Sequence, residues 1–362
     1  MNDYSDGSGA DVSGHSGAPA SDWPAVSVIM PVLNEARHLR VAVHRVLDQD
    51  YLGPLEVVLA LGSSQDDTDA IAASIVATDP RVRTVPNPSG HTPSGLNAAI
   101  AAARYEIIVR ADGHSLLPSN YVRTAVELLT ETGADNVGGI MRAEGVAPFE
   151  RAVACAMTSL LGVGRERFHT GGQAGFTSSV YLGVFRRAIL EKLVGYDEAF
   201  FRAQDWELNH RIRQAGGLIY FSPRLQVSYR PRSTLRALIR QYFHYGRWRR
   251  VVMRLHRGTV NLRYLAPPAA LLGVLAGFLI TVVHPIGLVL PGGYAAAILA
   301  GAAWESRRLD WAARLWLPLV IPTMHFSWAV GFLTSPARLV PAAAAARELD
   351  NVLDTQAEVS AS

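Results

Sequence analysis

Three apolar stretches in the C-terminal third constrain the fold of this 362-residue chain more than any other feature. They cover residues 266–283, 286–303 and 315–333, and each approaches the length of about 20 residues at which an α-helix crosses a bilayer. The rest of the chain is too small to bury three such helices in succession. The sequence therefore predicts a multi-pass protein of the plasma membrane, with its transmembrane region at residues 265–335.

A basic segment, residues 230–264, precedes the apolar stretches. It carries ten arginines and no acidic residue between positions 230 and 263, with aromatic side chains interleaved. This pattern predicts an amphipathic segment on the surface of an anionic membrane. Nucleic acid is the rival interpretation, but the net charge of the chain is only +3 and the apolar stretches follow directly. We therefore expect anionic lipids, and no nucleic acid, as partners.

The charge distribution also predicts the orientation in the membrane. Only two residues separate the first two apolar stretches, so these are expected to form a tight hairpin. Residues 305–314 bring positive charge back to the side of the basic segment, and the positive-inside rule places both in the cytoplasm. The third stretch would leave residues after 336 outside, unless it is a re-entrant or interfacial helix, which Pro318, Pro322 and His325 allow.

The two ends of the chain are predicted to be exposed tails. Residues 1–23 are rich in Gly, Ser and Asp and lack the apolar run of a signal peptide, which predicts a disordered tail. Residues 336–362 are predicted to form a second tail. The single cysteine, Cys155, allows no internal disulfide, which is typical of a domain on the reducing, cytoplasmic side.

Between the N-terminal tail and the basic segment, residues 24–229 alternate β-branched and amphipathic runs. Predicted strands cover residues 26–32, 55–61, 82–85 and 106–110, and predicted helices cover residues 35–48, 67–77, 94–104 and 205–214. This order predicts an α/β fold with a doubly wound, mostly parallel sheet and helices on both faces. The first strand is followed by neither G-x-G-x-x-G nor a P-loop, which argues against dinucleotide oxidoreductases and P-loop enzymes.

The strand at residues 106–110 is followed by Asp112 and His114. Side chains two positions apart on an extended strand share a face, so both can point at one ion or phosphate. Open α/β folds bind nucleotides and metals at the carboxyl ends of their strands. A metal-assisted nucleotide site is one interpretation, and a turn with a solvated histidine is the other. Arg110 shares the face and either meets a phosphate or forms a salt bridge with Asp112.

The first strand runs into Pro31, and Asn34 is predicted to be the N-cap of a helix that begins near Glu35. The free N–H groups of that helix would point into the crevice at the edge of the sheet. Taken as isolated residues, Asn34 and Glu35 are also explained by helix initiation alone.

The order of the motifs PVLNE, GSSQDDT, PSGLNAAIAAA, IIVRADGH and VGYDEAFFRAQDWELNHRIRQAGG resembles the inverting family 2 glycosyltransferases with a GT-A fold. The resemblance covers about residues 25–250 and extends to a branch of succinoglycan-type exopolysaccharide enzymes. It implies a nucleotide-sugar donor and a divalent cation, Mn²⁺ or Mg²⁺, as cofactor. It also implies a set of donor-binding residues: Pro31, Asn34, Glu35, Gly62, Asn97, Arg110 and Asp112.

Within the resemblance, Asp112 and His114 hold the metal, which neutralises charge on the leaving diphosphate. The usual motif of the family is Asp-x-Asp, and the imidazole of His114 favours Mn²⁺ over Mg²⁺. The base of the family's Gln-Asp-x-Glu motif is here Asp205, where a helix dipole favours the ionised carboxylate. Ordinary helix capping is the alternative for Asp205, whereas Glu207 is expected to hold Arg211 at i+4.

Four residues are candidates for contacts with the acceptor or the diphosphate: His169, Gln204, Arg247 and Trp248. The segment QYFHYGRW lies where processive relatives carry Q-x-x-R-W, although its spacing is longer. Arg247 and Trp248 therefore either contact the acceptor by charge and stacking or form a basic and aromatic pair at the membrane interface. The glycine-rich residues 138–190 are predicted to form a flexible lining for the acceptor and the donor sugar.

One departure from the family concerns the nucleobase. The second strand ends in Ala60-Leu61, where the family has a carboxylate that reads the base. A UDP-sugar is the favoured donor, with the nucleobase unassigned. Three spans are few for a polysaccharide channel, which favours transfer to a polyprenyl-linked saccharide in exopolysaccharide or cell-envelope glycan synthesis. Transfer to a polyprenyl phosphate or glycolipid is the alternative, and a non-catalytic membrane scaffold is the alternative from a different class.

Overall fold

The computed structural model describes residues 23–256, 259 and 261–339. The two predicted tails therefore lie outside the described residues, except at Trp23 and at positions 336–339.

The centre of the molecule is one mixed sheet of eight strands in the order β3-β2-β1-β4-β7-β5-β8-β6. The strands are β1 (Val26–Val32), β2 (Leu55–Leu61), β3 (Val82–Pro86), β4 (Ile107–Arg110), β5 (Asn136–Ala143), β6 (Gly175–Phe176), β7 (Tyr181–Arg186) and β8 (Ile219–Tyr229). The first four strands pair in parallel, whereas β7 runs antiparallel to both β4 and β5. Strand β5 pairs with β8 in parallel, and β6 closes the edge antiparallel to β8.

The helices begin and end close to the predicted positions, with one exception in the first. They are α1 (Leu39–Leu47), α2 (Thr68–Thr78), α3 (Thr92–Ala102), α4 (Tyr121–Thr132), α5 (Pro148–Met157), α6 (Leu160–Val163), α7 (Arg167–Thr170), α8 (Arg187–Lys192), α9 (Gln204–Gln214), α10 (Leu235–Leu255), α11 (Ala266–Thr281), α12 (Val289–Glu305), α13 (Trp311–Arg314) and α14 (Leu317–Leu333). Helix α1 begins at Leu39, four positions after the predicted start at 35.

Helices cover both faces of the sheet, which confirms the predicted α/β layers. Along β1, Val28 and Met30 pack with residues of α1, α2 and α4 in one buried cluster. The residue between them, Ile29, packs with residues of α3, α8 and α9 in a second cluster. This alternation is what a strand buried on both faces requires.

The glycines of β5 serve close packing rather than the flexible lining predicted for residues 138–190. A Cβ at Gly139 would overlap the backbone oxygen of Leu225, and one at Gly138 would lie 2.8 Å from that of Tyr181. Only glycine allows the neighbouring strands to approach this closely. The prediction of flexibility is therefore wrong for β5.

Helices α11, α12 and α14 coincide with the three predicted apolar stretches. The segments Leu262–Thr281, Pro285–Arg308 and Trp311–Leu333 are long and apolar enough to cross a membrane, by length and composition. They are not equally covered by protein, since 11%, 22% and 39% of their most apolar windows are buried. The third segment is the most covered because α14 packs along α10 and α5.

The contact between α10 and α14 is close because glycines face the partner backbone. A Cβ at Gly246 would overlap the backbone oxygen of Trp328, and one at Gly331 would overlap that of Phe243. The guanidinium of Arg254 donates to the backbone oxygen of Ser335 at 2.9 Å. Residues 235–255 of the basic segment thus form a long helix that is fastened to the third apolar helix.

Candidate active site

The carboxyl ends of β1 to β4 meet at one edge of the sheet, and the loops that follow β1 and β2 are bonded to each other. The side-chain oxygen Oδ1 of Asn34 accepts a hydrogen bond from the backbone N–H of Gln65 at 2.7 Å. The backbone N–H of Glu35 donates to Oγ1 of Thr68 at 2.8 Å. Asn34 itself has a φ of 55°, in the left-handed region that asparagine tolerates.

The prediction that Asn34 caps the first helix is therefore wrong. Helix α1 begins at Leu39, and the Asn34 side chain bonds to the loop after β2 rather than to its own helix. Asparagine side chains compete in this way because they satisfy backbone groups in non-helical conformations. Gly62 lies in the same group of loops, where a Cβ would be 3.2 Å from Cα of Gly90.

Arg110 is the centre of the site. It is only 4% exposed, and its guanidinium contacts the carboxylates of both Asp112 and Asp205. The distance from Nη2 to Oδ1 of Asp112 is 3.2 Å. Burial is the largest influence on the pKa of Arg110 and lowers it, but the charges of Asp112, Tyr196 and Tyr181 and the hydrogen bond to Asp112 together outweigh it, so the pKa lies above its usual value. The structure thus brings the predicted metal ligand and the predicted base to one cation, as the salt-bridge interpretation of Arg110 requires.

His114 is held by Glu35, which lies at the end of a different strand. Nδ1 of His114 is 2.7 Å from Oε1 of Glu35, and this hydrogen bond raises the pKa of His114. Gly113 leaves room for Glu35, since a Cβ there would lie 3.0 Å from Cγ of Glu35. A carboxylate on one ring nitrogen is the usual way in which a metal-binding histidine is oriented, and it leaves Nε2 for a ligand.

The two side chains of Asp112 and His114 fit a cation whose remaining ligands come from the substrate and from water. No group of three or more His, Cys, Asp and Glu side chains within the described ranges could hold a metal by itself. Mg²⁺ and similar cations commonly take one or two protein ligands and complete their coordination with substrate phosphates and water.

Asp205 is the second residue of α9 and is 36% exposed. The residue before the helix, Ala203, has a φ of 62°, which turns the chain sharply into α9. The other carboxylate of this motif differs in its burial, because Glu207 is buried and binds Arg211 with two contacts of 2.6 and 2.7 Å. The predicted i,i+4 pair is confirmed, and it leaves Asp205 as the accessible carboxylate of the motif.

Asn97 and Pro31 lie beside the site and support its walls. The Asn97 amide accepts a hydrogen bond from the N–H of Tyr196 and donates to its oxygen, both at 2.8 Å. It also donates to Oε1 of Glu198 at 3.0 Å. Pro31 packs on α3, where a Cβ at Gly95 would be 3.2 Å from Cβ of Pro31. The donor-binding roles of Asn97 and Pro31 stay predictions, since their contacts here are within the protein.

The acceptor candidates are spread over several elements. Gln204 begins α9 directly before Asp205. His169 lies on α7, where burial lowers its pKa to about 4 and Nδ1 has no hydrogen bond to any described residue. Trp248 is buried in a cluster with Phe200, so its ring is covered by protein and lies open neither to an acceptor nor to a membrane interface. In the described part of the chain, His169, Arg247 and Trp248 make no hydrogen bond or ion pair to Asp112 or Asp205.

Sequence reasoning missed Tyr196, which lies against Arg110. The guanidinium carbon of Arg110 is 6.0 Å from the centre of the Tyr196 ring, and burial raises the pKa of Tyr196 to about 12. The available signal was its position in the segment Gly195-Tyr196-Asp197-Glu198, which leads into the Asp205 motif.

The comparison with solved structures gives the class of fold. The chain superposes on the mannosyltransferase PcManGT from Pyrobaculum calidifontis, solved in complex with GDP-Man and Mn²⁺, with a TM-score of 0.57 and 22% identity. The superposition covers 87% of this chain and 88% of that chain. The molecule therefore has the GT-A fold.

Sequence comparison gives the family. The profile of glycosyl transferase family 2 matches residues 27–194. The succinoglycan biosynthesis protein ExoA of Rhizobium meliloti (strain 1021) is 32% identical over 84% of this chain and 93% of its own length. A dolichyl N-acetyl-alpha-D-glucosaminyl phosphate 3-beta-D-2,3-diacetamido-2,3-dideoxy-beta-D-glucuronosyltransferase of Methanococcus voltae is 23% identical over 67% of this chain and 77% of its own. The chain belongs to glycosyltransferase family 2, as its motifs predict.

Proposed function

We propose that this chain is a membrane-associated inverting glycosyltransferase that moves a sugar from a nucleotide-diphosphate sugar to a lipid-linked saccharide in exopolysaccharide or cell-envelope glycan synthesis. The observation that carries the proposal is the position of Arg110, which contacts both Asp112 and Asp205. Asp112, proposed to act on the donor, and Asp205, proposed to act on the acceptor, thus lie at the same edge of the sheet. The names of the R. meliloti and M. voltae relatives support a glycan product and a lipid-linked acceptor.

On the donor side, Asp112 and His114 would hold a divalent cation. When bound, the cation neutralises the charge that develops on the leaving diphosphate. Glu35 orients the imidazole of His114 through Nδ1, and the loop hydrogen bonds of Asn34 keep Glu35 in place. The complex of the P. calidifontis enzyme with Mn²⁺ supports Mn²⁺ as the cation.

On the acceptor side, Asp205 acts as the general base. The acceptor hydroxyl oxygen forms a bond to the anomeric carbon, the bond from that carbon to the diphosphate oxygen breaks, and the hydroxyl proton passes to the Asp205 carboxylate. The displacement is a single step, so the configuration at the anomeric carbon inverts. Arg110 fixes the Asp205 carboxylate relative to Asp112.

The donor is best identified by binding. Detergent-solubilised protein is titrated with UDP and GDP, with and without Mn²⁺, as wild type, as Asp112→Ala and as the control Asp69→Ala, which removes an exposed aspartate of α2. We expect Mn²⁺-dependent binding of one nucleotide, lost in Asp112→Ala and kept in Asp69→Ala. The GDP-Man complex of the P. calidifontis enzyme, at 22% identity, makes GDP a necessary member of the panel beside the UDP that the family resemblance favours.

The same titration separates the enzyme from a non-catalytic scaffold. Folded wild-type protein that binds neither nucleotide, with or without Mn²⁺, would support the scaffold. Acceptor panels then distinguish a lipid-linked saccharide from a bare polyprenyl phosphate or a glycolipid, since only the first carries a sugar hydroxyl on a lipid diphosphate.

We further propose that α11 and α12 cross the plasma membrane as a hairpin, with the catalytic domain in the cytoplasm, and that α14 lies at the membrane surface. Helix α14 packs on α10, whose arginines would otherwise be carried into the bilayer with it. His325 of α14 also contacts the backbone oxygen of Leu161, in the catalytic domain, at 2.8 Å. A reporter fused to the C-terminus should therefore lie on the cytoplasmic side, and an external reporter would show that α14 spans the membrane.

A further inference from the structure

Arg249 lies between two aromatic rings at the junction of the catalytic domain and the first apolar segment. Its guanidinium carbon is 4.9 Å from the centre of the Trp206 ring and 4.5 Å from the centre of the Tyr264 ring. Trp206 belongs to α9, and Tyr264 belongs to the 3₁₀ turn Leu262–Leu265 that leads into α11. Two aromatic rings thus lie against the guanidinium, and its N–H groups are what remains for hydrogen bonding.

The edge of that guanidinium has no anionic partner among the residues that the structure describes. Within that part of the chain, the nitrogen Nη1 is buried and makes no hydrogen bond, and Arg249 takes part in no ion pair within 4.0 Å. Burial lowers the pKa of Arg249, which shows that its surroundings disfavour the charge. Arg249 is half-buried as a residue, but a guanidinium with a buried N–H group and no anionic partner is costly, so an arrangement of this kind is expected to be completed by an anion.

Two neighbouring side chains also carry buried nitrogens without a hydrogen-bond partner among the described residues. Arg263 pairs with Glu166, yet its Nε is buried without a hydrogen bond to any described residue. Nδ1 of His169 is in the same condition, and the charge of Arg263 helps to lower the pKa of His169. Glu166, the carboxylate that acts on Arg249, is thus already engaged by Arg263.

We infer that Arg249, together with Arg263 and His169, binds the phosphate group at the lipid end of the acceptor. The inference rests on the proposed function, because it assigns a site to the lipid-linked acceptor. Tyr264 lies in the candidate span Leu262–Thr281, close to its first residue, which is the depth at which lipid phosphates lie. Guanidinium groups bind phosphates with two parallel hydrogen bonds, for which Arg249 has the free edge.

The site is also placed to present the acceptor to the base. Trp206, which covers one face of Arg249, directly follows Asp205 in α9. A phosphate bound at Arg249 would therefore leave the saccharide of the same molecule near the Asp205 carboxylate. The nucleotide diphosphate has its own site at Asp112 and His114, on the loops after β4.

The inference is tested by direct binding of farnesyl diphosphate, farnesol and inorganic pyrophosphate to the full chain in detergent. Arg249→Gln is compared with Arg240→Gln, which removes an exposed arginine from the same helix. We expect farnesyl diphosphate to bind wild type and Arg240→Gln equally, and Arg249→Gln about 10- to 100-fold more weakly. Arg249→Lys keeps the charge and should lose less affinity, and thermal melting shows whether each variant is folded.

Three results would overturn the inference. The first is equal affinity of wild type and Arg249→Gln for farnesyl diphosphate. The second is binding of pyrophosphate as tightly as farnesyl diphosphate, which would mean a free phosphate site. The third is an equal loss of nucleotide affinity in Arg249→Gln, which would assign Arg249 to the donor. Metal-dependent nucleotide binding by the wild type is scored separately, so failure of the proposed function is distinguishable from failure of this site.

Discussion

Charged side chains are paired with each other at the carboxyl edge of the sheet but not throughout the basic helix α10. At the edge, Asp112 and Asp205 share Arg110, and Glu35 binds His114. On α10, Arg250 and Arg254 donate to backbone oxygens at the end of α14, while Arg249 has no anionic partner among the described residues. The charges at the edge thus balance each other within the protein, whereas Arg249 on the helix has no charge among the described residues that pairs with it.

The largest expected effect breaks the pairing at the edge. Asp205→Asn removes the proton acceptor but keeps the shape of the side chain, so kcat should fall by about 10²- to 10⁴-fold with donor affinity unchanged. Sugar transfer and nucleotide binding are measured in parallel, with Asp69→Asn on α2 as the control. If donor binding is lost instead, Asp205 has a structural role and the assignment of the base is wrong.

The next largest effect concerns Arg110, whose guanidinium contacts both carboxylates. Arg110→Met leaves Asp112 and Asp205, which are 22% and 36% exposed, without their shared partner, and losing a hydrogen bond to a charged group costs about 1.5–3 kcal/mol. The free energy of unfolding is measured by denaturant titration, beside Arg240→Met as an exposed control. Adding Asp205→Asn should recover part of the loss, and strictly additive effects would show that the two side chains are not coupled.

Two glycines, Gly246 in α10 and Gly273 in α11, test the close contact between α10 and α14. Gly246→Ala places a Cβ against the backbone oxygen of Trp328, whereas a Cβ at Gly273 in α11 would meet no described atom within 4 Å. Forcing α10 and α14 apart should destabilise the fold by about 2 kcal/mol, whereas Gly273→Ala should be neutral or should stabilise it by up to about 1 kcal/mol. Thermal melting of the two variants in the same detergent checks this, and equal melting temperatures would contradict the close contact.

The smallest effect concerns pH. His210 is 8% exposed, and burial, followed by the nearby His256, lowers its pKa to about 4. In the unfolded chain its pKa is about 6.5, so between these values the unfolded state binds more protons and folding stability falls as pH falls. Between pH 7 and pH 4.5, the free energy of unfolding of His210→Phe should fall by about 1–2 kcal/mol less than that of the wild type.

The unfolding free energy of His210→Phe is measured at both pH values. His38→Gln, which removes an exposed histidine, is the control and should keep the wild-type pH dependence. An unchanged dependence in His210→Phe would show that His210 is not the group that titrates. His256, Arg213 and Arg211, whose charges also lower the pKa of His210, remain in both proteins.

The strands of the first half of the sheet could be predicted from sequence because they are continuous apolar runs. Strands β1 and β2 have the predicted bounds at both ends, as expected for strands buried on both faces. The pairing of β4 with β7 could not be predicted, since it joins Ile107 to Arg186 and depends on contacts far apart in the chain.

The site shows the same limit at the level of single residues. The positions of Asp112, His114 and Asp205 follow from strand and helix ends, but the partner of Asn34 is a backbone N–H some thirty residues away in sequence. Arg249 is one of ten arginines in the basic segment, and composition does not show which of them lies between two rings. Such choices are made by tertiary packing, which overrides local preference.

The glycine contact between α10 and α14 has a mechanical consequence. Because the backbones touch at Gly246 and Gly331, the two helices cannot slide or tilt past each other without a clash. If the apolar helices lie in the membrane as proposed, this contact holds the catalytic edge at a fixed height above the lipid. We expect such an enzyme to select acceptors by how far their reactive hydroxyl stands from the membrane, and to add its sugar at one position of a growing chain.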